Sequence, residues 1–395
     1  MDNLFRRRRL LKTLLSLTLV FGTLVTIQKF KVADSGVKEL RWKPRDKSWK
    51  SAPNANASSS WDGEVSAVTR RPLATWSVEA ANCSVGTPRA LGKEWLRKLE
   101  PRFQQFVLHR HCRYFPMLLN HPEKCGADVD VLLVVKSVIE EHERREAVRK
   151  TWGAERTVRG KRVKTLFLLG SPATGKDTNN LQKLLEYEDR IYGDILQWDF
   201  MDTFFNLTLK EVNFLRWFHI YCAHVPFVFK GDDDVFVNTE NLVDLIGFRT
   251  EEGRAHELFV GDTISKAIPI RNKQSKYYIP KEMFDKPYPP YVGGGGFLMS
   301  ASVARRLFVA SERLELFPID DVFLGMCLQR LGKAPESHPG FKTFGIVKRR
   351  VSSMNSEPCF YRQLIVVHKL SARDLLKMWS VVQDHKLTCA KKYSL

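Results

Sequence analysis

Three consecutive aspartates, Asp232, Asp233 and Asp234, stand between two apolar runs, Phe227-Val-Phe-Lys230 and Val235-Phe-Val-Asn238. Short runs rich in β-branched and aromatic residues read as buried strands, which forces the carboxylates into a turn at the edge of a core. Three adjacent negative charges repel one another, and such a turn is costly unless a cation or hydrogen-bond donors compensate. Hard divalent cations such as Mg²⁺ or Mn²⁺ prefer these oxygens and bridge readily to a diphosphate. The plain alternative is a solvated acidic turn, which the strand context disfavours.

The surrounding pattern sets the fold class. Val129-Asp-Val-Leu-Leu-Val-Val135 and Lys164-Thr-Leu-Phe-Leu-Leu-Gly170 read as buried strands, with a polar helix over about Glu143 to Trp152 between them. A helix over Leu181 to Tyr192, a strand at Asp194 to Trp198, a helix over Leu207 to Tyr221 and a strand at Pro226 to Lys230 follow. This alternation predicts an α/β fold with a mostly parallel sheet covered on both faces, and ligands bind such sheets beyond the carboxyl ends of the strands. After Asp234 short strands (Leu258 to Gly261, Phe297 to Ser300, Leu364 to His368) mix with helices (Ala301 to Ala310, Asp321 to Leu331, Ser371 to Val382), a mixed half that completes the site.

The N-terminus adds a location. Arg6 to Arg9 precede an apolar stretch, Leu10 to Ile27. We expect residues 1–9 to be a cytosolic basic tail and 10–28 a transmembrane signal anchor, since no small-x-small cleavage site follows. Residues 29–87, rich in Ser, Ala, Asn, Lys and Pro, read as a flexible lumenal stem, and 88–395 as the catalytic domain. Asn56, Asn82 and Asn206 sit in N-glycosylation triplets, and the seven cysteines allow up to three disulfides and one free thiol in an oxidising lumen. The net charge of +19 permits an anionic partner, but with an anchor and no recognition motif, nucleic acid is not expected.

Four further signals bear on chemistry. Asp320 and Asp321 open an amphipathic helix, where one acid suffices as a cap and the helix N-terminus keeps a second ionised for general-base work. Gly293, Gly294, Gly295 and Gly296, between aromatic and aliphatic residues, suggest a loop whose backbone approaches a ligand closely, the alternative being a flexible linker. Arg145 and Arg149 share a helix face just after the first strand, where they either meet a diphosphate or form a solvated face. His368 ends an apolar strand, and imidazole is a common ligand for transition metals.

Together these residues resemble the inverting β1,3-glycosyltransferases of glycosyltransferase family 31, and within them the β1,3-N-acetylglucosaminyltransferases. The supporting stretches are Arg149-Lys-Thr-Trp-Gly153, Asp202-Thr-Phe-Phe-Asn-Leu-Thr-Leu-Lys210, Phe229-Lys-Gly-Asp-Asp-Asp-Val-Phe-Val237, Lys276-Tyr-Tyr-Ile-Pro280, Tyr291-Val-Gly-Gly-Gly-Gly-Phe297 and Pro318-Ile-Asp-Asp-Val322. The stretch from His111 to Cys125 is similar to one branch of that group. The resemblance implies a GT-A fold, meaning a Rossmann-like nucleotide-sugar-binding sheet with a mixed acceptor-binding half. It also implies UDP-GlcNAc as donor, a galactose-terminated glycan as acceptor, Mn²⁺ or Mg²⁺ as cofactor, and a Golgi membrane location. By the same resemblance Asp234 and His368 bind the metal, Asp232 and Asp233 face the donor, Asp321 is the base, and Lys136, Tyr277 and Asp320 line the acceptor pocket. A β1,3-galactosyltransferase of the same family and a non-catalytic lumenal assembly partner stay open as alternatives, as does assembly with itself or with other glycosyltransferases.

Overall fold

A helix at Pro101–His109 (α1) and a short edge strand at Met117–Leu119 (β1) lead into the first apolar run, which forms Val131–Lys136 (β2) with every residue buried. In this computed structural model residues 75–79, 83–84, 93–172, 177–344 and 356–389 are described. The expected anchor at 10–28 and most of the expected stem lie outside them, as do Asn56 and Asn82. Among the described residues no helix is long and apolar enough to cross a membrane.

From β2 the chain runs through the helix His142–Lys150 (α2), the hairpin Arg156–Val158 (β3) and Lys161–Ser171 (β4), the helix Thr178–Tyr192 (α3) and the strand Ile195–Met201 (β5). The helix Leu207–Trp217 (α4) then returns it to Phe227–Asp232 (β6). Alternate residues of β2 enter opposite cores. Leu132 and Val134 pack with Val228 and the α4 residues Val212 and Phe214. Val131, Leu133 and Val135 pack with Phe229 and with Val148 and Ala147 of α2. That is the signature of a sheet covered on both faces.

After β6 come Val235–Val237 (β7), the helix Thr239–Glu251 (α5), Phe259–Ile264 (β8), Tyr291–Ser300 (β9), and the helices Ala301–Glu312 (α6) and Asp320–Arg330 (α7). Short strands Glu336–Ser337 (β10), Phe341–Lys342 (β11) and Val366–His368 (β12), with helices Pro358–Gln363 (α8) and Ala372–Gln383 (α9), complete the described fold. The larger sheet has nine strands in the order β1-β5-β4-β2-β6-β9-β8-β10, with β3 on β4. Its β5-β4-β2-β6 half is parallel, while β9 runs antiparallel to both β6 and β8. The result is a mixed sheet with helices packed on both faces. A second sheet, β11-β12-β7, brings the end of β12 beside the start of β7.

Two expectations are corrected. The glycine tetrad is not a loop: it lies inside β9, buried, at a register irregularity between β8 and β9. The long helix expected over 207–221 ends as an α-helix at Trp217, and Phe218–Cys222 widens into a π turn. Three disulfides, Cys83–Cys112, Cys125–Cys222 and Cys359–Cys389, leave Cys327 free and buried.

Candidate active site

The chain winds outward from β2 through β4 and β5, then returns to place β6 on the other side of β2. Carboxyl ends diverge at such a switch point, leaving a crevice for ligands. Lys136 ends β2, Asp232 ends β6, and the two are register partners across that crevice. Local sequence thus delivers one cation and an acidic turn to one place.

The three aspartates do different things there. Asp234 accepts from His368 Nε2 at 2.9 Å, and Asp232 Oδ2 lies 3.6 Å from the same nitrogen. His368 is oriented by its other ring nitrogen, Nδ1, which donates to the Thr343 carbonyl at 2.8 Å. Ligand atoms of Asp232, Asp234 and His368 lie within 4.8 Å of one another, a set of two carboxylates and an imidazole that fits a divalent cation. Burial alone would lower the His368 pKa, but Asp234 and Asp232 hold it above its ordinary value, so this corner already favours positive charge. Asp233 points the other way. Burial pushes its carboxyl up to about 6, against Ser137 Oγ donating at 2.7 Å and Arg144 at 3.2 Å.

The second acidic pair faces this triplet. Asp320 and Asp321 occupy the first turn of α7, and the residue before them, Ile319, supplies no side-chain cap. Asp320 accepts from Lys136 Nζ at 2.8 Å, and Lys136 lies 3.2 Å from Asp232 as well. Burial would raise Asp320, but the Lys136 ammonium holds it below its ordinary pKa. Lys136 stays charged despite burial, because Asp232, Asp320 and Asp321 surround it. Asp321 has no ion pair among the described residues. Its Oδ2 accepts the Gly294 N–H at 2.9 Å, and burial followed by the nearby Asp320 charge puts its pKa well above the ordinary value. The helix N-terminus therefore does not keep Asp321 strongly acidic; burial wins.

The glycines make this possible. A Cβ on Gly294 would sit 2.5 Å from Asp321 Oδ1, and one on Gly295 would sit 2.8 Å from His368 Nδ1. The structure shows close approach to the tetrad by the protein's own side chains, Thr343, Asp321 and His368 among them. A Cβ on Gly293 would meet Thr343 at 2.4 Å in the same way, while one on Gly296 would press on Phe229 and Val366 at 3.0 Å.

Arg145 and Arg149 require a correction. Arg145 is 1% exposed, and its guanidinium is taken by Glu188 at 2.8 Å, Ser137 Oγ and the Val138 and Ile139 carbonyls. Arg149 is held by Asp194 and Glu188 at 2.7–2.8 Å. With these donors occupied they brace α2 against α3 and β5, while Arg144 reaches the site. Tyr277 is half exposed, with its ring 5.4 Å from that of Phe204. The Tyr291 hydroxyl is pushed up to about 12 by burial, then by Asp321 and Tyr277, which places all three side chains in one field. Asn206 sits before α4 with its amide donating to the Met201 carbonyl.

A galactosyltransferase family model matches residues 143–339, which include the acidic triplet and the Asp320–Asp321 pair. UDP-GlcNAc:betaGal beta-1,3-N-acetylglucosaminyltransferase 7 of Rattus norvegicus is 54% identical over 349 residues, 86% of this chain and 87% of the relative. The chain belongs to the galactosyltransferase family. It is a glycosyltransferase. The Mus musculus form of the same relative is 55% identical over 351 residues, 88% of this chain and 85% of the relative. N-acetyllactosaminide beta-1,3-N-acetylglucosaminyltransferase 3 of Homo sapiens is 46% identical over 293 residues, covering 73% and 77% of the two chains. The branch that His111 to Cys125 resembles is the one to which the rat and mouse relatives belong. Among solved structures, galactosyltransferase LgtC with donor and acceptor sugar analogs matches 64% of this chain and 96% of its own at TM-score 0.31 and 13% identity.

In this family member several supporting residues escaped the sequence reading. Lys230 and Glu211 form an ion pair at 2.5 Å under β6, each 1% exposed. Lys210 pairs with Asp202 at 2.8 Å and donates to the carbonyl of Ser137, whose hydroxyl holds Asp233. The one available signal was two consecutive charges, Lys210-Glu211, on a helix otherwise apolar enough to be buried.

Proposed function

We propose that this chain transfers N-acetylglucosamine from UDP-GlcNAc to the 3-hydroxyl of a terminal β-galactose, inverting the anomeric carbon. The relatives' names supply the donor and linkage. The observation that carries the mechanism is Asp321, a half-buried carboxylate above its ordinary pKa, with no ion pair among the described residues and a neighbour, Asp320, paired to Lys136. A base is most effective when its pKa lies near the working pH, and burial moves Asp321 in that direction. Asp321 takes the proton from the acceptor hydroxyl as that oxygen bonds to the anomeric carbon. The bond from that carbon to UDP breaks, and its electron pair leaves on the diphosphate. Attack from the face opposite UDP is a single displacement, so no enzyme nucleophile is required.

Asp234 and His368, with Asp232 in reach, would hold Mn²⁺ or Mg²⁺, which when bound offsets charge on the diphosphate leaving group. Asp232 and Asp233 face the donor, with Ser137 and Arg144 fixing Asp233. Lys136, Asp320 and Tyr277 line the acceptor side. The basic block before residues 10–28 supports anchorage in the Golgi membrane with a lumenal catalytic domain, and the disulfides suit an oxidising lumen. Rates of UDP release on an N-acetyllactosamine acceptor test the donor: kcat/KM should favour UDP-GlcNAc over UDP-galactose by at least about tenfold, a difference of roughly 1.4 kcal/mol in transition-state binding. A preference for UDP-galactose would overturn the reading.

A further inference from the structure

Outside glycine, positive φ occurs among the described residues at Arg159, Lys266 and Lys369. Arg159 is explained by the tight β3–β4 hairpin, where it precedes Gly160. Lys369 is not in a hairpin. It follows His368 at φ 77°, a left-handed conformation that glycine adopts without steric cost and lysine does not. The conformation has a clear task. It turns two successive N–H groups, of Lys369 and Leu370, onto the Asp234 carbonyl at 3.0 and 2.8 Å. This clamp fixes the acidic turn against the end of β12, and so fixes Asp234 against His368. Glycine would build the same clamp more easily, so the lysine side chain needs its own reason.

The neighbourhood supplies one. A diphosphate beside Asp234 and His368 brings more negative charge to a place already holding three carboxylates. Among the described residues, the basic side chains nearest the acidic turn are engaged: Lys136 by Asp232 and Asp320, Arg144 by Glu141 and Asp233, Arg145 by Glu188, and Arg149 by Glu188 and Asp194. Lys369 is exposed and has no ion pair among the described residues. Its ammonium lies 5.9 Å from the ring centroid of Phe344, the residue after Thr343, which anchors His368. The free cation therefore stands on the same segment pair that builds the candidate metal corner.

We propose that the Lys369 ammonium binds the diphosphate of the nucleotide donor. The inference rests on the donor reading above and adds a residue to it. A charge-assisted contact of this kind is specific to the anion and independent of the clamp, which uses backbone only.

The test is UDP binding by the full-length chain in Mn²⁺, measured by calorimetry, with Mn²⁺ binding alone followed by electron paramagnetic resonance. Lys369→Gly keeps the backbone turn and removes the ammonium, Lys369→Met keeps the strain and removes it, and Lys369→Arg keeps the charge. Gly and Met variants should each weaken UDP binding by about tenfold or more, with Mn²⁺ affinity unchanged, and Arg should stay within about threefold of the parent. A Gly variant that binds UDP as the parent does would overturn the proposal, whatever the Met variant does. Equal loss of Mn²⁺ and UDP binding in the Gly variant would assign the effect to the Asp234 clamp and overturn it too. A parent chain that binds Mn²⁺ but not UDP would instead remove the donor reading.

Discussion

Asp320 and Asp321 are adjacent in sequence and opposite in electrostatic state. The first is buried against a lysine and held ionised; the second is half-buried without an ion pair and pushed toward neutrality. Asp321→Asn separates the consequences. Transfer should fall by about 10²–10⁴-fold, the usual worth of a general base, while UDP binding persists. Stability should move the other way. A carboxylate whose folded pKa is raised favours the fold when protonated, so its contribution falls as pH rises from the ordinary carboxylate range through the raised value. The Asn variant should therefore melt at or above the parent temperature at neutral pH, with the gap closing below about pH 4. A melting temperature well below the parent at pH 7 would contradict this picture of the site. In the parent enzyme, kcat should drop as pH falls through the raised Asp321 value, read from a pH–rate profile.

Arg145 carries the opposite lesson at the same scale. From spacing alone its helix face was as good a phosphate-binding surface as any, because sequence shows which residues share a face but not what covers it. Glu188, forty-three residues away, covers it and is itself pulled down to about 2 by Arg145 and its neighbours in spite of burial. Arg145→Met leaves that carboxylate buried and short of its partner, so unfolding free energy should fall by about 3–5 kcal/mol, as for a broken buried pair. KM for the donor should change little in protein that remains folded. A large rise in donor KM with normal stability would return Arg145 to the binding site.

At the scale of elements, the parallel strands were legible because fully buried strands are continuous apolar runs, and β2, β4 and β6 are such runs. The tetrad strand was not, since four glycines carry neither hydrophobicity nor period. Its role emerges only when α7 and β12 pack over it. Gly294→Ala places a methyl group on the Asp321 carboxylate and should reduce turnover by at least about 100-fold with UDP binding kept, consistent with a base displaced by an ångström or so. Gly295→Ala strikes His368 instead and should weaken Mn²⁺ binding. Both are read by pairing initial rates with metal titration, and an Ala variant with normal turnover at 294 would show that Asp321 need not sit where it does. Helix α4 shows a different limit. Its existence followed from sequence, whereas the buried Lys210 and Glu211 that support Ser137 and β6 needed the fold to reveal their partners.

For the whole molecule, alternation of strands and helices announced a two-faced sheet and told where ligands bind in such sheets. It did not give strand order, and strand order is what makes Lys136 and Asp232 neighbours across the switch point. Residues collected from β2, β6, β9, α7 and β12 meet there, spread from Lys136 to His368 in the chain, so no local motif could display the set. One side of the meeting place holds the Asp232, Asp234 and His368 corner, whose ligand set fits a divalent cation, and the other holds Asp321, raised and without an ion pair among the described residues, with Lys136 bridging to Asp232 and Asp320 between them. In the proposed reaction that division puts the leaving group on one side and the base on the other, as a single inverting displacement requires. The most direct measurement is nuclear magnetic resonance of the product formed from UDP-GlcNAc and an N-acetyllactosamine acceptor in Mn²⁺. It should show N-acetylglucosamine joined β to the galactose 3-position, with no product after chelation. An α-linked product would mean retention and would contradict a single displacement from the face opposite UDP.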